Sequence, residues 1–575
     1  MYLGNKNILT IEKMFVNGII YSIDKKGNVY EAMGISQGRI VFLGTNNEAM
    51  NLIENNTIII DLKHRAVLPG FIDAYTSFPK EFIKKDDELN LCRCSCLDEY
   101  LSDVHDYINK YSNSNKEFIY GYGWDNNKMP YTEEFFKGPY KKYLNDLSFK
   151  IPIVLEDITG SMLWLNDKGF EYYKINKNLE SPIGGIIELD ERGELWGILK
   201  GNAKKIIQME KFNRYSNKEY LEGFLRFQNE LHSNGITSIG LVESSSIDIP
   251  FDIYRLAEIK DKLKLRINYG IKMFPYEIEK KSIYEQVHEI KRLKIIYKSR
   301  YFDITRICFK GDGLIETHDA FLFKPYKNCN NEYSGRFKWE FLEFKEAIKM
   351  ANRLDFDAVI ECCGDNGCRA AIDGIEYSQK NNNYNKCRNS IAHLDLITKY
   401  YIRRMKLLNI NAIIIPFWHY QNQRCAEEQY RSIGEERVQR LYPYRSLIEN
   451  NIITAGASEH YRNENISPLK GIWCSMTRNL CDFKSGLAKN QNIMTKPQYR
   501  LNPCEKINLL QAVRSFTIEA AYILGKEKEI GSLEIGKKAD FIVLDQNIFE
   551  VNPEEIKNIH ICDTYFEGDL VYTNV

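Results

Sequence analysis

Nine histidines and fourteen cysteines carry the imidazole and thiol chemistry of this sequence, and their clustering limits what they could do. Cys92, Cys94 and Cys96 alternate in LCRCSC, a spacing that a strand would turn into one thiol face. A metal there needs a fourth ligand that the neighbourhood does not offer, so buried or spare thiols are the expectation. Cys362, Cys363 and Cys368 lack the fourth cysteine and the spacing of an iron–sulfur cluster, and read as core packing plus a thiol at a helix start. His419 in PFWHY and His460 beside Glu459 are placed to line a pocket; for His419 a structural or loop role is the plainer reading. His64, His105, His232, His288, His318 and His560 have no constellation around them.

The elements that must position such groups follow from composition and pattern. Hydrophobic residues make up 44% and charged residues 27%, as in an ordinary globular protein. Lys+Arg and Asp+Glu both number 78, so no basic field recruits nucleic acid or an anionic membrane, and a small-molecule partner is expected. No apolar run approaches the ~18 residues of a membrane span, and MYLGNKNILTIEKMF lacks a secretory signal, so a cytoplasmic protein with reduced thiols is expected.

Short apolar strands alternate with amphipathic helical stretches through most of the chain, the pattern of an α/β fold with a parallel sheet or barrel. Eight strands are expected: 66–73, 235–242, 263–271, 305–311, 357–363, 390–395, 411–417 and 452–458. Eight is the number of a (β/α)8 TIM barrel. β-rich segments at 13–62 and 538–574 predict a β-sandwich split between the termini, with Asn17-Gly18 and Gln37-Gly38 as hairpin turns. The interval from about 80 to 230 is too long for a loop and reads as an inserted α+β domain. The expected boundaries are 1–65 with 530–575 for the sandwich, 66–80 with 231–529 for the barrel, and 81–230 for an insert covering the barrel mouth.

This frame resembles the amidohydrolase superfamily, in the branch that includes N-substituted formamide deformylases. The resemblance spans nearly the whole chain: VLPGFID (67–73), GYGWD (121–125), GG (184–185) with LWGIL (195–199), GDG (311–313), GD (364–365), IAH (391–393), SPLKGIWCSMTR (467–478) and the run from NLLQAVRSF to KKADFIVLD (508–545). It implies hydrolysis of a non-peptide C–N bond, and a metal site at the C-terminal mouth of the barrel. The ligand positions depart from the family. His-x-His after PGFID is replaced by Tyr75 and Ser77, the bridging lysine by Cys308, the strand-five histidine by Glu361 and the strand-eight aspartate by Glu459. Only His393 is retained. The insert's Asp-Gly-His becomes Thr159-Gly160-Ser161.

Three readings of this site stand open. Cys308, Glu361, His393 and Glu459 offer the four donors that one divalent metal such as zinc wants, with Glu459 a ligand or the base; a binuclear centre is not expected. Alternatively, two carboxyls and a thiol in one desolvated mouth would have pKa values pushed up and apart, supporting a metal-free acid/base reaction of a lyase, dehydratase or isomerase, with His393 and Tyr75 orienting substrate or relaying protons. The third is a non-catalytic binding or regulatory protein on the same scaffold. The commitment among them is to the hydrolase, with Glu459 the principal acid/base residue. Trp124 and Trp164 match insert positions that could wall the substrate, although insert core serves equally well. Arg478 is expected to hold the loop after strand eight. Related barrels often pair, which makes a homodimer compatible with the resemblance.

Overall fold

The computed structural model describes residues 10–574 except 84–87, 112–116, 131–136, 149, 159, 183–184, 208–214, 244–248, 328–331, 383–385, 419–428, 460–465 and 479–500. At its centre is a sheet of eight parallel strands in sequential order: β1 (Phe71–Ser77), β2 (Ile236–Val242), β3 (Arg266–Met273), β4 (Phe302–Lys310), β5 (Asp357–Cys362), β6 (Ser390–His393), β7 (Asn411–Ile414) and β8 (Thr454–Gly456). Most strand residues are buried, as expected where one face fills a barrel and the other meets helices. The ring is joined between β8 and β1, where Glu459 N donates to Tyr75 O at 3.1 Å and Ser458 N to Asp73 Oδ1 at 3.1 Å.

Helices alternate with these strands, among them α1 (Asn217–Ser233) before β2, α2 (Asp365–Asn381) after β5 and α3 (Pro468–Thr477) after β8. α1 starts where Ser216 and Glu219 form a reciprocal capping box, and it buries Leu221, Phe224, Phe227, Gln228 and Leu231, one stripe at three- and four-residue spacing. Inside the barrel the buried Arg306 of β4 donates from Nη1 to Ala74 O (2.9 Å) and from Nη2 to Asn268 O (3.1 Å). Gly240 of β2 permits that approach, because a Cβ there would stand 2.1 Å from Ala74 O.

Two expected local features differ. The predicted strand 66–73 is two strands: Ala66–Pro69 belongs to the terminal sandwich and β1 begins at Phe71. Gly70 N donates to Asp540 O at 2.9 Å between them, so the chain changes sheets there. Asn17-Gly18 likewise does not turn a hairpin. Lys13–Val16 and Ile19–Tyr21 enter different sheets, with Asn17 in the left-handed region (φ 55°), its N–H held by Asn46 Oδ1. Gln37-Gly38 does turn one, pairing Ser36 with Arg39.

The sandwich is built from both termini. One sheet runs Asp569–Thr573, Ile561–Phe566, Phe541–Leu544, Ala66–Pro69, Ile19–Tyr21, Val29–Tyr30; the other runs Arg39–Gly44, Ala32–Ser36, Lys13–Val16, Ile58–Asp61. Phe541 stacks on Tyr565 at 4.4 Å, and Phe15 meets both edge-on. The insert carries its own six-stranded mixed sheet, from Leu89–Asn90 to Leu195–Gly201. Just past β1, buried Lys80 donates to Tyr120 Oη (2.8 Å), which donates to Glu156 (2.8 Å), tying insert to barrel. Cys92, Cys94 and Cys96 fall in turns after the insert's first strand rather than along a strand, and Cys94 Sγ donates to Asp103. Every cysteine among the described residues is a free thiol. Among those residues no helix is long and apolar enough to cross a membrane.

Candidate active site

The polar groups of interest sit at the C-terminal ends of the barrel strands, where the strand direction delivers them to one rim. From β1, the buried Tyr75 hydroxyl donates to Glu361 Oε1 on β5 in a short hydrogen bond. Burial pushes the Glu361 carboxyl up, but Lys272, Lys310, His393 and the Tyr75 bond outweigh it and hold the group below its ordinary value. Glu361 is therefore ionised. Cys308, two residues beyond Arg306 on β4, has its thiol pushed up to about 12 by burial, with Glu361 adding to the rise and Arg306 opposing it. It is a neutral thiol in this setting.

His393 ends β6 and Glu459 follows β8; both are buried, and His393 Nε2 lies 3.5 Å from Glu459 Oε1. The Trp418 indole donates to Glu459 Oε2 at 3.3 Å. His393 (φ 73°), Leu394 (φ 54°) and Glu459 (φ 47°) all adopt the left-handed backbone region. Each such non-glycine residue costs on the order of 1–3 kcal/mol and persists where surrounding structure over-determines it, a pattern concentrated at functional sites.

The motif residues around this rim are its supports. Asp73 of PGFID accepts from Ser458 Oγ and from the backbone of Ser458 and Tyr75, and burial raises its pKa to about 6. Asp312 of GDG accepts from the backbone N–H of Cys363 (2.8 Å), Gly364 (2.9 Å) and Phe321 (2.9 Å), setting the turn that leads into α2. Arg478, fully buried, donates to Tyr442 O (2.7 Å) and Glu505 O (3.0 Å).

Among the described residues, one group of metal-type donors has its ligand atoms all within 4.8 Å of one another: Cys363, His393 and Asp395. Cys308, Glu361 and Glu459 lie outside that group. Of the expected residues, Tyr75 bonds Glu361 and His393 meets Glu459, while the Glu361 charge acts on His393 and on the Cys308 thiol through its field. Trp124 and Trp164 are fully buried in the insert's hydrophobic core, ring centroids 6.0 Å apart. His419, His460 and Thr159 lie outside the described residues.

Asp395, Cys363, Trp418 and Lys272 were not singled out for this site from sequence. Period-two spacing was the available signal for two of them, since Cys363 is two residues from Glu361 and Asp395 two from His393. At two of the positions where the resemblance implies metal ligands, the structure holds a phenol that donates to Glu361 and a neutral thiol.

The sequential eight-strand sheet with ionisable groups at its strand ends is a (β/α)8 barrel with a candidate site on its C-terminal rim. The sequence model of the amidohydrolase family matches residues 59–572, and the chain belongs to that family. It is 21% identical to the N-substituted formamide deformylase of Arthrobacter pascens, over 97% of this chain and 98% of that protein. Its structure is similar to an uncharacterised metal-dependent hydrolase from Pyrococcus horikoshii OT3, with TM-score 0.69 and 20% identity over 94% of this chain and 99% of that one. A zinc-bound adenosine deaminase from Xanthomonas campestris aligns with TM-score 0.53 and 12% identity over 97% of this chain and 92% of the other.

Proposed function

We propose that this protein hydrolyses a non-peptide C–N bond of a small molecule at the strand-end rim, with Glu459 as the principal acid/base residue and without the family's binuclear metal centre. The observation that carries this reading is the buried His393–Glu459 pair, 3.5 Å apart, held on left-handed backbone at the ends of β6 and β8. Hydrolysis needs a base for the attacking water and an acid for the departing nitrogen. Glu459 takes the water proton and returns it to the nitrogen as the C–N bond breaks, while His393 and the Trp418 N–H orient its two oxygens. The ionised Glu361, fixed by Tyr75, supplies a second polar anchor for substrate. The nature of the deformylase relative supports N-substituted formamides as the first substrates to assay.

Glu459→Gln keeps the volume and the Trp418 contact but removes the base. Turnover on a panel of N-substituted formamides and cyclic amides is expected to fall by roughly 100-fold or more, with the folded circular-dichroism spectrum retained. Wild-type rates in a folded Glu459→Gln protein would remove this residue from the mechanism. A metal-free acid/base reaction, as of a lyase or isomerase, is the second reading; the Tyr75–Glu361 hydrogen bond favours it, because it pairs a proton donor with an ionised acceptor.

A further inference from the structure

We propose that Cys363, His393 and Asp395 form a mononuclear site for zinc or a cation of similar softness at the junction of β5 and β6. The three donors are each 4–6% exposed and their ligand atoms lie within 4.8 Å of one another. One sulfur, one nitrogen and one carboxylate oxygen make a three-ligand set that leaves the fourth position of a tetrahedral zinc for water. The thiol selects against magnesium and calcium, which prefer oxygen donors.

Backbone on both sides of the trio is already held. Cys363 N donates to Asp312, Leu396 N donates to Cys363 O at 2.9 Å, and Tyr442 N donates to Asp395 O at 2.7 Å. The consecutive left-handed residues His393 and Leu394 turn the chain at the end of β6, so that Asp395 returns beside His393 instead of running on with the strand. Glu459 Oε1 lies 3.5 Å from His393 Nε2, next to the trio. What a bound ion would do there rests on the hydrolase reading above; that it binds does not.

The test reads metal, not turnover. Purified full-length protein is stripped with a chelator, reconstituted separately with zinc and with cobalt(II), desalted, and analysed for metal content and absorption. Expected are about one equivalent of metal per chain and a near-ultraviolet thiolate-to-cobalt charge-transfer band. Cys363→Ser should abolish that band and Asp395→Asn should weaken zinc at least tenfold, whereas Cys308→Ser should retain the band. A folded wild-type protein holding only trace zinc and cobalt overturns the site without any variant. So does a band that survives Cys363→Ser or disappears in Cys308→Ser. Stoichiometric metal with no amide hydrolysis would leave this site standing and remove the hydrolase reading instead.

Discussion

At the scale of single residues, the rim is built from buried side chains that meet in pairs. The Tyr75 phenol can only donate to the carboxylate it faces, and Glu361 is that carboxylate. The two act as one unit, so their contributions should not add. In a double-mutant cycle, Tyr75→Phe and Glu361→Gln should each lower kcat/KM, and the pair should fall short of the summed effect by at least about 1 kcal/mol. Strictly additive losses would separate Tyr75 from Glu361 in function. The residues legible beforehand were those with a family position to fill. Asp395 and Cys363 were not, because period two places each on its neighbour's face but does not say that the end of β5 meets the end of β6, where Cys362 pairs with His393.

At the scale of elements, α1 and the approach to β3 form a clamp. Gln228 bonds Lys262 O and Lys264 N, and the buried His232 ring bonds Lys264 O at 3.0 Å. Burial lowers the His232 pKa to about 4 from 6.5, with the Lys264 bond only partly opposing it. The unfolded chain therefore takes up this proton at higher pH than the folded one. Its contribution to stability is complete above pH 6.5 and is lost as pH falls towards 4, for a total of about 3 kcal/mol. Denaturant titrations at pH 7 and pH 5 should show a smaller acid loss in His232→Gln than in wild type; equal losses would mean that His232 does not titrate this way. From sequence, His232 had no constellation, since its partner is a carbonyl 32 residues away.

At the scale of the whole molecule, a buried guanidinium is among the groups that fasten barrel to terminal sandwich. Arg266, at the start of β3, forms ion pairs with Asp540 and with Glu567 (2.6 Å), and its plane lies 4.4 Å over Phe566. Removing it leaves the buried Asp540 short of its counter-charge, while Glu567 keeps Lys538 (3.0 Å) and Arg300. Arg266→Ala should cost roughly 3–5 kcal/mol, and Arg266→Ala with Asp540→Ala less than the sum of the two single changes. A loss under about 1 kcal/mol, measured by denaturant unfolding, would show that the sandwich docks without it. The insert is fastened separately, by Lys80, Tyr120 and Glu156 next to the end of β1.

The sequence by itself determined the architecture: eight short apolar strands, their alternation with capped amphipathic helices, and β-rich termini each encode local geometry and burial, which are properties of neighbouring residues. It also located the rim, because strand ends follow from strands, and it marked Tyr75, Cys308, Glu361, His393 and Glu459 as departures or survivals at that rim. Tertiary structure alone decided which of them meet. Pairing Tyr75 with Glu361 depends on the relative placement of β1 and β5, 286 residues apart in the chain. Gathering Cys363, His393 and Asp395 depends on register between β5 and β6 and on two left-handed residues. Distances of a few ångströms between such groups are set by packing and closure of the whole barrel, which no local pattern specifies.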